Sequence, residues 1–294
     1  MAAALHVERV DDLRFRATPR AGRQGRVFGG QIMGQALAAA ATSVPADLCV
    51  HLLHARFLRS ADPSRAVDYV LEPSVDSAAF AHRRVSATQG DTIVLDLTAS
   101  FHRGEAGPGH QLPPHQAGAP EDLPTFNELA SAGADESTRQ WWARLAPWIP
   151  VEVRAPVVPG RWRPEPGDAL VPRQQVWLRT HHDLGDEPSA HSRAAAYCSD
   201  LFLLTAAMVR HGLRHDDDGV LAVTLNHTMW FHEPFRVDDW WRYEQEGSWS
   251  GRARVLCRGQ MFDRSGRLVA TAMQEGLLRV NEQGLRRGER RLAG

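Results

Sequence analysis

The sequence predicts an α+β fold of two tandem units, each with a long helix wrapped by a curved antiparallel sheet. Three observations carry this prediction: two apolar helix-forming segments, strand-like segments after each of them, and nearly equal spacing between corresponding motifs. A chain of 294 residues is long enough for two such units. We predict units over 1–103 and 171–294, joined by a connector over 104–170.

The first helix is predicted from about Gly30 to Thr42, because "VFGGQIMGQALAAAATSV" holds Ala, Leu, Gln and Met at helical density. In the second half, "RAAAYCSDLFLLTAAMVRHG" has the same character and predicts one continuous helix around Asp200. A helix that is apolar on most faces must be covered on most sides, and a curved sheet would cover it.

Corresponding motifs recur at nearly the same spacing in the two halves. Phe28 precedes Tyr197, and His54 precedes Thr228, by almost equal numbers of residues. Alternating apolar and polar residues in "AFAHRRVSATQ" and "ARVLCRGQMF" predict strands in meander order. The predicted arrangement, a helix wrapped by an antiparallel sheet in two copies, is a double hot dog.

The connector is predicted from composition. "GEAGPGHQLPPHQAGAPEDLPT" is dense in Gly, Pro and Ala and has no apolar periodicity. The segment after it predicts a helix around Trp141 and Trp142 and then a strand, whereas "VVPGRWRPEPGDALVPR" predicts a loop.

The bulk composition excludes several classes of protein. With 34 basic and 35 acidic residues, the chain lacks the positive field of a general nucleic-acid binder, so no nucleic-acid partner is expected. Cys49, Cys198 and Cys257 lie far apart, which supports neither a disulfide framework nor a cysteine-based zinc site. Without a long apolar run, we expect no membrane span, no export signal and a cytoplasmic location. The charged C-terminus predicts a solvated tail.

Five separated blocks carry a resemblance to a known family. They are "GRVFGGQIMGQAL", "VHLLHARFLRSADP", "AYCSDLFLL", "VTLNHTMWFHEPF" and "VATAMQEGLLR". Together, and in this order, they resemble the acyl-CoA thioesterase II family of double hot dog enzymes. The resemblance runs from about Val27 to Arg279 and is weakest in the connector. It implies hydrolysis of an acyl-CoA substrate.

The resemblance also implies three catalytic residues that jointly hold a water molecule. Matched block by block, the aspartate of "YCSDL" is Asp200, the threonine of "VTLNH" is Thr224, and the glutamine of "MQEG" is Gln274. One departure is Asn226, where members of the family carry an aspartate. Any acidic role at this position is therefore in doubt, but the three catalytic residue types are retained.

These residue types suit the attack of water on a thioester. Asp200 would accept the proton, and burial in an apolar helix would raise its pKa toward neutrality. Thr224 and Gln274 would orient the water. None of the three is a strong nucleophile, so direct water attack is favoured over an acyl-enzyme, and neither a cofactor nor a metal is expected. Taken alone, each residue would be an ordinary capping or strand residue.

The first helix contains no Asp or Glu, which predicts one hydrolytic site per chain. Gly29, Gly30 and Gly34 in it lack the spacing of a phosphate-binding loop, and close helix packing is the expected cause of their presence. In the strand "LAVTLNHTMWF", alternation predicts that Asn226 and Thr228 share the face of Thr224.

Rival hypotheses remain open from the sequence alone. A hot dog dehydratase would pair a histidine with an aspartate, although His191 is nine positions from Asp200. A non-catalytic acyl-CoA-binding module would leave Asp200 with a structural role. His211 and His215 have a spacing that can hold a metal, but the adjacent acidic run favours a solvated helix end. We also expect a homodimer or homotetramer.

Overall fold

A computed structural model describes residues 1–20, 25–74, 76–131, 134–161 and 172–293. The helices are α1 (Ala2–Leu5), α2 (Gly29–Ala41), α3 (Phe126–Ser131), α4 (Glu136–Leu145), α5 (Pro188–Ser199), α6 (Leu203–Met208) and α7 (Glu282–Ala293). The strands before the connector are β1 (Glu8–Arg9), β2 (Arg14–Ala17), β3 (Cys49–Phe57), β4 (Val67–Pro73), β5 (Phe80–Gln89) and β6 (Thr92–His102). The later strands are β7 (Val151–Arg154), β8 (Arg173–Thr180), β9 (Val220–Phe231), β10 (Trp241–Gly251), β11 (Arg254–Asp263) and β12 (Leu268–Val280).

The strands form one antiparallel sheet in the order β1-β2-β4-β5-β6-β3-β9-β12-β11-β10-β8-β7. The second half of this order mirrors the first, so the repeat detected in the sequence is also a repeat of strand order. Helix α2 packs on β5 and β6, and α6 packs on β10 and β11. The two halves of the sheet, β1–β6 and β7–β12, are called half-sheets below. Each half-sheet is antiparallel and packs on a helix, which confirms the predicted double hot dog fold.

The two half-sheets join where β3 pairs with β9. His54 lies opposite Thr228 in this register, and its Nδ1 is 2.7 Å from Thr228 Oγ1. These residues occupy corresponding positions of the sequence repeat. Corresponding residues therefore meet at the centre of the sheet.

Helices α2 and α5 pack at very close range because α2 carries glycine where they touch. A Cβ atom on Gly30 would lie 2.3 Å from the carbonyl oxygen of Tyr197, and one on Gly34 would lie 3.0 Å from that of Arg193. A Cβ contact of 2.3 Å cannot form unless the helices move apart, and one of 3.0 Å requires the neighbouring backbone to shift by a few tenths of an ångström. The prediction that these glycines permit close helix packing is confirmed.

Part of the connector extends the second half-sheet. Helix α4 contains Trp141 and Trp142, and β7 pairs with β8 at the edge of the sheet, as the sequence predicts. Most of the predicted loop lies outside the described residues, which omit 162–171. No helix in the described part of the chain is long and apolar enough to cross a bilayer.

The C-terminal segment is exposed at most of its positions, as predicted, but it is a docked helix and not a free tail. The last residues form α7, and Arg291 of this helix makes two hydrogen bonds of 2.6 Å to the buried carboxylate of Asp217. The acidic run after His215 is less solvated than predicted, because Asp216 forms an ion pair with Arg161. Acidic residues of this turn thus anchor other segments of the chain.

Candidate active site

The predicted continuous helix around Asp200 is wrong. Helix α5 ends at Ser199, Asp200 caps it, and α6 begins only at Leu203. Between them Phe202 has a φ of 64°, a left-handed conformation that costs a non-glycine residue about 1–3 kcal/mol. The carboxylate therefore stands at a chain break between two short helices instead of on the side of one long helix.

Side chains from the sheet hold this break open. Tyr243 Oη, Gln245 Nε2 and Gln174 Nε2 donate to backbone carbonyl oxygens within 199–202, at 2.8, 2.7 and 2.9 Å. At the break the carbonyl groups of Ser199 and Leu201 accept from no helical N–H in the described part of the chain and need other donors, whereas that of Phe202 also accepts from the N–H of Thr205 at 3.0 Å. The glutamines lie opposite each other on β8 and β10, so the two strands act as one template for the break.

The three predicted site residues come together at the break. Gln274 Nε2 donates a short hydrogen bond to Asp200 Oδ1 and lies 2.8 Å from Thr224 Oγ1. The hydroxyl of Thr224 lies 3.3 Å from the same carboxylate oxygen. Asp200, Thr224 and Gln274 thus form a closed triangle of polar groups.

A fourth contact comes from the first unit. The backbone N–H of Gly30 donates to Asp200 Oδ2 at 2.9 Å, and a Cβ atom on Gly29 would lie 2.9 Å from the same oxygen. The start of α2 also carries the positive end of its helix dipole, which favours a nearby carboxylate. Sequence reasoning explained these glycines by packing alone. It missed their role at the site because a backbone donor leaves no side-chain signal.

The prediction that Asn226 and Thr228 share the face of Thr224 is wrong, because the alternation of β9 is interrupted between Thr224 and Asn226. Gln274 pairs with His227 and Gly276 pairs with Thr224, so one extra residue is accommodated on β9 between them. This β-bulge brings Thr224 and His227 to the same inner face. Asn226 lies on the opposite face.

The two remaining polar residues of this strand are bound on the outer face. Asn226 donates to Glu275 at 2.8 Å, and Thr228 contacts His54 across the joint of the half-sheets. Neither residue extends the polar surface around Asp200. The departure from the family pattern at position 226 therefore leaves the triangle intact.

Burial raises the pKa of Asp200 from its usual 3.8 to about 6. Removal of the carboxylate from water disfavours its charged form, and the hydrogen bonds from Gln274, Gly30 and Thr224 oppose this effect. The side chain is half-buried and borders a cavity. A carboxylate in this state is ionised at neutral pH and more basic than an ordinary aspartate.

His227 lies beside the triangle and was not predicted as a site residue. It is fully buried, its Nε2 is 2.8 Å from Ser199 Oγ, and burial lowers its pKa to about 3. Among the described residues, neither its Nδ1 nor the Oε1 of Gln274 has a hydrogen-bond partner. The ring is therefore neutral and holds the end of α5 against β9.

A cavity of about 400 Å³ opens beside Asp200. It runs between the start of α2, the helix break and the end of β3, and connector residues cover part of it. Its apolar lining includes Phe28, Ile32, Phe57, Leu145, Trp148, Ile149, Tyr197, Leu201, Phe202 and Leu204. The arrangement places a basic carboxylate at the wall of a mainly apolar pocket, which suits a ligand with an apolar chain.

Comparisons with known proteins agree with this geometry. A family model described as acyl-CoA thioesterase matches residues 150–277, and one described as acyl-CoA thioesterase N-terminal domain matches residues 17–102. Acyl-coenzyme A thioesterase 8 of Homo sapiens is 34% identical over 96% of this chain and 90% of its own length. The chain belongs to the acyl-CoA thioesterase family. It is a thioester hydrolase.

Two further relatives extend the comparison to bacteria. Acyl-CoA thioesterase 2 of Haemophilus influenzae is 32% identical, and the match covers 95% of this chain and 96% of that protein. The crystal structure of an acyl-CoA thioesterase II from Mycobacterium marinum matches with a TM-score of 0.77 and 34% identity, covering 96% of this chain and 99% of that one. The resemblance identified in the sequence is thus confirmed.

The geometry of this thioesterase does not favour the rival dehydratase hypothesis. His191 Nε2 lies 2.8 Å from the carbonyl oxygen of Gly185, and its Nδ1 accepts from the N–H of Val237. Within the described ranges, the hydrogen-bond partners of Asp200 are the two predicted side chains and Gly30, and none is a histidine. Among the described residues, Asp200 is therefore not paired with a histidine.

Proposed function

We propose that this thioesterase hydrolyses acyl-CoA by direct attack of a water molecule held by Asp200, Thr224 and Gln274. The observation that carries the proposal is the convergence of Thr224 Oγ1 and Gln274 Nε2 on one carboxylate oxygen of Asp200. The relatives are named acyl-CoA thioesterases, which supports acyl-CoA as the substrate class. The apolar cavity beside the triangle fits an acyl chain.

Asp200 acts as the general base in this proposal. Its pKa, raised by burial to about 6, keeps it ionised at neutral pH and brings its basicity near the value that suits proton transfer there. Gly30 fixes one carboxylate oxygen, and the other faces the groups that aim the water. The carboxylate of Asp200 is therefore held in a fixed orientation, and its pKa suits proton transfer near neutral pH.

We assign the water to the cavity side of the triangle. Asp200 and Thr224 both line the cavity, and Thr224 Oγ1 lies 3.3 Å from Asp200 Oδ1. A water in front of these two oxygens would donate to the carboxylate and contact the threonine hydroxyl. The amide of Gln274 would then orient both partners.

In the reaction, the water oxygen bonds to the thioester carbonyl carbon while Asp200 takes one water proton. Collapse of the tetrahedral intermediate breaks the carbon–sulfur bond, and the electron pair leaves with the sulfur. The proton passes from Asp200 to the thiolate, giving the free acid and coenzyme A. The positive end of α2 favours negative charge on the carbonyl oxygen. These steps consume only water and thioester, so the proposal includes neither a metal nor a cofactor.

Kinetics of Thr224→Val, Gln274→Ala and the double variant test the shared role of the two orienting residues. Because both act on one water, we expect each single change to lower kcat and the double change to cost less than the sum of the two free energies. Circular dichroism controls for folding. Additive losses would indicate that the residues act on separate features and would contradict the proposal.

A single turnover in water enriched in heavy oxygen tests for a covalent intermediate that is hydrolysed at the aspartyl carbon. With enzyme in excess over acyl-CoA, direct attack places the label in the released acid. An anhydride at Asp200, hydrolysed at the aspartyl carbon, would place the label in the protein. Mass spectrometry of acid and protein measures both, and label confined to the protein would exclude direct attack.

We also propose that the chain assembles as a homodimer or homotetramer. Trp230 and Trp249 remain 38% and 46% exposed, and large apolar side chains of this kind are enriched in protein interfaces. Light scattering coupled to size-exclusion chromatography measures the mass in solution. A monomeric mass at micromolar concentration would contradict the proposal.

A further inference from the structure

The cavity beside Asp200 is too small for a whole acyl-CoA. A volume of about 400 Å³ suits a ligand of drug size, and an acyl-CoA adds a pantetheine arm, a diphosphate and a phosphorylated adenosine to its acyl chain. If the thioester reacts at Asp200, as proposed above, the nucleotide must lie outside the cavity. The residues at its rim are then the first candidates for contact with the phosphates.

Arginines dominate the charge of this rim. Arg26 and Arg59 both line the cavity, and both are exposed to solvent. Asp200 is the one acidic residue in the described lining of the cavity. The entrance is therefore positively charged although the chain as a whole has a net charge of −1.

These two guanidinium groups differ from most arginines of the chain. The sequence has no lysine, and most of its arginines form ion pairs with carboxylates; Arg83 with Asp76 is an example. Neither Arg26 nor Arg59 has a carboxylate within 4.0 Å in the described part of the chain, although Arg59 donates to the carbonyl of Leu58 at 2.8 Å. Most of their donors remain available to a ligand.

A third arginine lies next to the same cavity. The guanidinium carbon of Arg20 is 5.9 Å from the centre of the Trp148 ring, and that ring forms part of the cavity wall. Arg20 is exposed and forms no ion pair with a described residue. Arg20 and Arg26 thus place positive charge beside the cavity from the chain before α2, and Arg59 does so from the chain just after β3.

We infer that Arg26 and Arg59, assisted by Arg20, form the binding site for the phosphate groups of coenzyme A. This inference rests on the proposed reaction at Asp200. Guanidinium groups suit the task because they bind phosphate oxygens in pairs and remain charged at every relevant pH. The site fixes the nucleotide outside the cavity while the acyl chain lies within it.

The test compares two substrates that carry the same acyl group. One is the acyl-CoA, and the other is the acyl thioester of N-acetylcysteamine, which keeps the thioester but has no phosphate. Arg26→Gln, Arg59→Gln and the double variant are measured against Arg279→Gln. Arg279 is a suitable control because it is exposed, has no ion pair with a described residue and lies outside this cavity.

We expect the double variant to raise KM for acyl-CoA by about 10- to 100-fold, the loss typical of hydrogen bonds to a charged group. The kcat for acyl-CoA and all constants for the truncated thioester should change less than about twofold, because the reacting groups are untouched. Raising the salt concentration should raise KM for the parent more than for the double variant.

Three outcomes overturn the inference: an unchanged KM for acyl-CoA, equal losses with both substrates, or an equal effect of Arg279→Gln. The equal-loss outcome would mean that the arginines support the structure and do not bind phosphate. Asp200→Asn, measured in parallel, should be slow on both substrates. If it is active while the arginine variants discriminate between the substrates, the proposed mechanism fails and the phosphate site stands.

Calorimetry of the parent and double variant with free coenzyme A gives a second measurement without turnover. Dephospho-coenzyme A, which lacks the ribose phosphate, and pantetheine, which lacks all phosphates, serve as comparison ligands. We expect the double variant to lose affinity for coenzyme A but to bind pantetheine as the parent does. Equal affinity of the parent for pantetheine and coenzyme A would contradict the inference.

Discussion

The two units differ in secondary structure at corresponding positions of the sequence repeat. After Phe28, the first unit begins α2, an uninterrupted helix of 13 residues without an acidic side chain. After the corresponding Tyr197, the second unit ends α5, crosses a break at Asp200, and resumes as α6, a helix of only 6 residues. The comparison shows that the proposed chemistry lies where helical regularity is lost, while the regular copy contributes a backbone donor and packing.

The sharpest way to break this comparison is to remove the carboxylate. Asp200→Asn keeps the shape but not the basicity, so kcat should fall by about 10²–10⁴, the usual loss of a positioned acid or base. Gln31→Asn is the matched control, because Gln31 follows Phe28 at the same distance as Asp200 follows Tyr197. It should retain near-normal kcat in steady-state assays. An equal loss of kcat in both variants would show that the first unit contributes as much to catalysis as the second.

The pH dependence of turnover tests the raised pKa of Asp200. The base must be ionised, so kcat should be constant well above pH 6 and fall about tenfold per unit below it. An aspartate with its ordinary pKa would give this fall near pH 4 instead. Stopped-flow or steady-state assays from pH 4.5 to 9 measure the midpoint. A midpoint below pH 4.5 would mean that burial does not tune this carboxylate.

Substitution at Gly30 tests whether the regular copy serves the site through its backbone. In Gly30→Ala the new Cβ would meet the carbonyl oxygen of Tyr197 at 2.3 Å, so the helices must separate. Overpacking of this kind destabilises by about 1–3 kcal/mol, and the shift should also weaken the Gly30–Asp200 hydrogen bond and lower kcat.

Gly107→Ala is the control for this substitution, because a Cβ on Gly107 would meet nothing within 4 Å. Urea denaturation and steady-state kinetics of both variants measure stability and turnover. If Gly30→Ala unfolds at the same urea concentration as the parent, the close approach of the helices is not needed.

The sheet side chains that hold the break can be removed one at a time. Gln245→Met leaves the carbonyl of Leu201 without its 2.7 Å donor, and a buried unsatisfied acceptor costs about 1–3 kcal/mol. Gln175→Met, on the neighbouring strand, is the control because Gln175 follows Gln174 on β8 and therefore points to the opposite face, and among the described residues it forms no hydrogen bond with the break. A thermal melt of both variants provides the measurement. Equal melting temperatures would show that the hydrogen bond from Gln245 does not stabilise the helix break.

The smallest expected effect concerns the pH dependence of the free energy of unfolding, because burial of the ionised Asp200 carboxylate destabilises the fold. The folded pKa of Asp200, about 6, exceeds its ordinary 3.8, so its contribution to stability is complete below pH 3.8 and is lost as pH rises through 6. Relative to the parent, Asp200→Asn should therefore be more stable at pH 8 than at pH 4 by about 1 kcal/mol, since the cavity partly solvates the group. Urea titrations at both pH values test the sign. A reversed sign would mean that the charged form is the one favoured by folding.

Features encoded by short segments could be predicted from the sequence. The apolar composition after Phe28 predicts α2 to within a residue or two, and the alternation in the strands predicts the hairpins β4-β5-β6 and β10-β11-β12. The predicted meander order is wrong at β3 and β9, because these strands pair with β6 and β12 and not with the strands that follow them in the chain. The three site residues were located by the family resemblance. None of them stands out by composition or spacing.

The failures have long-range causes. "YCSDLFLL" contains no Gly or Pro, so nothing local announces a helix break; the partners that stabilise it are Gln174, Tyr243 and Gln245, far along the chain. The bulge on β9 appears only when the strand is placed beside β12. The docking of α7 depends on the pairing of Arg291 with Asp217. Each failure concerns a choice that the segment makes with a distant partner.

The hydrogen bond from Gly30 to Asp200 links the histories of the two gene halves. A recombination event that exchanged the first half for that of a distant relative would keep the carboxylate, the threonine and the glutamine, yet could lose the glycine pair that admits and orients the carboxylate. A single chain keeps both sides of this contact under common inheritance. The half without the proposed base therefore supplies a contact that orients the carboxylate of the other half.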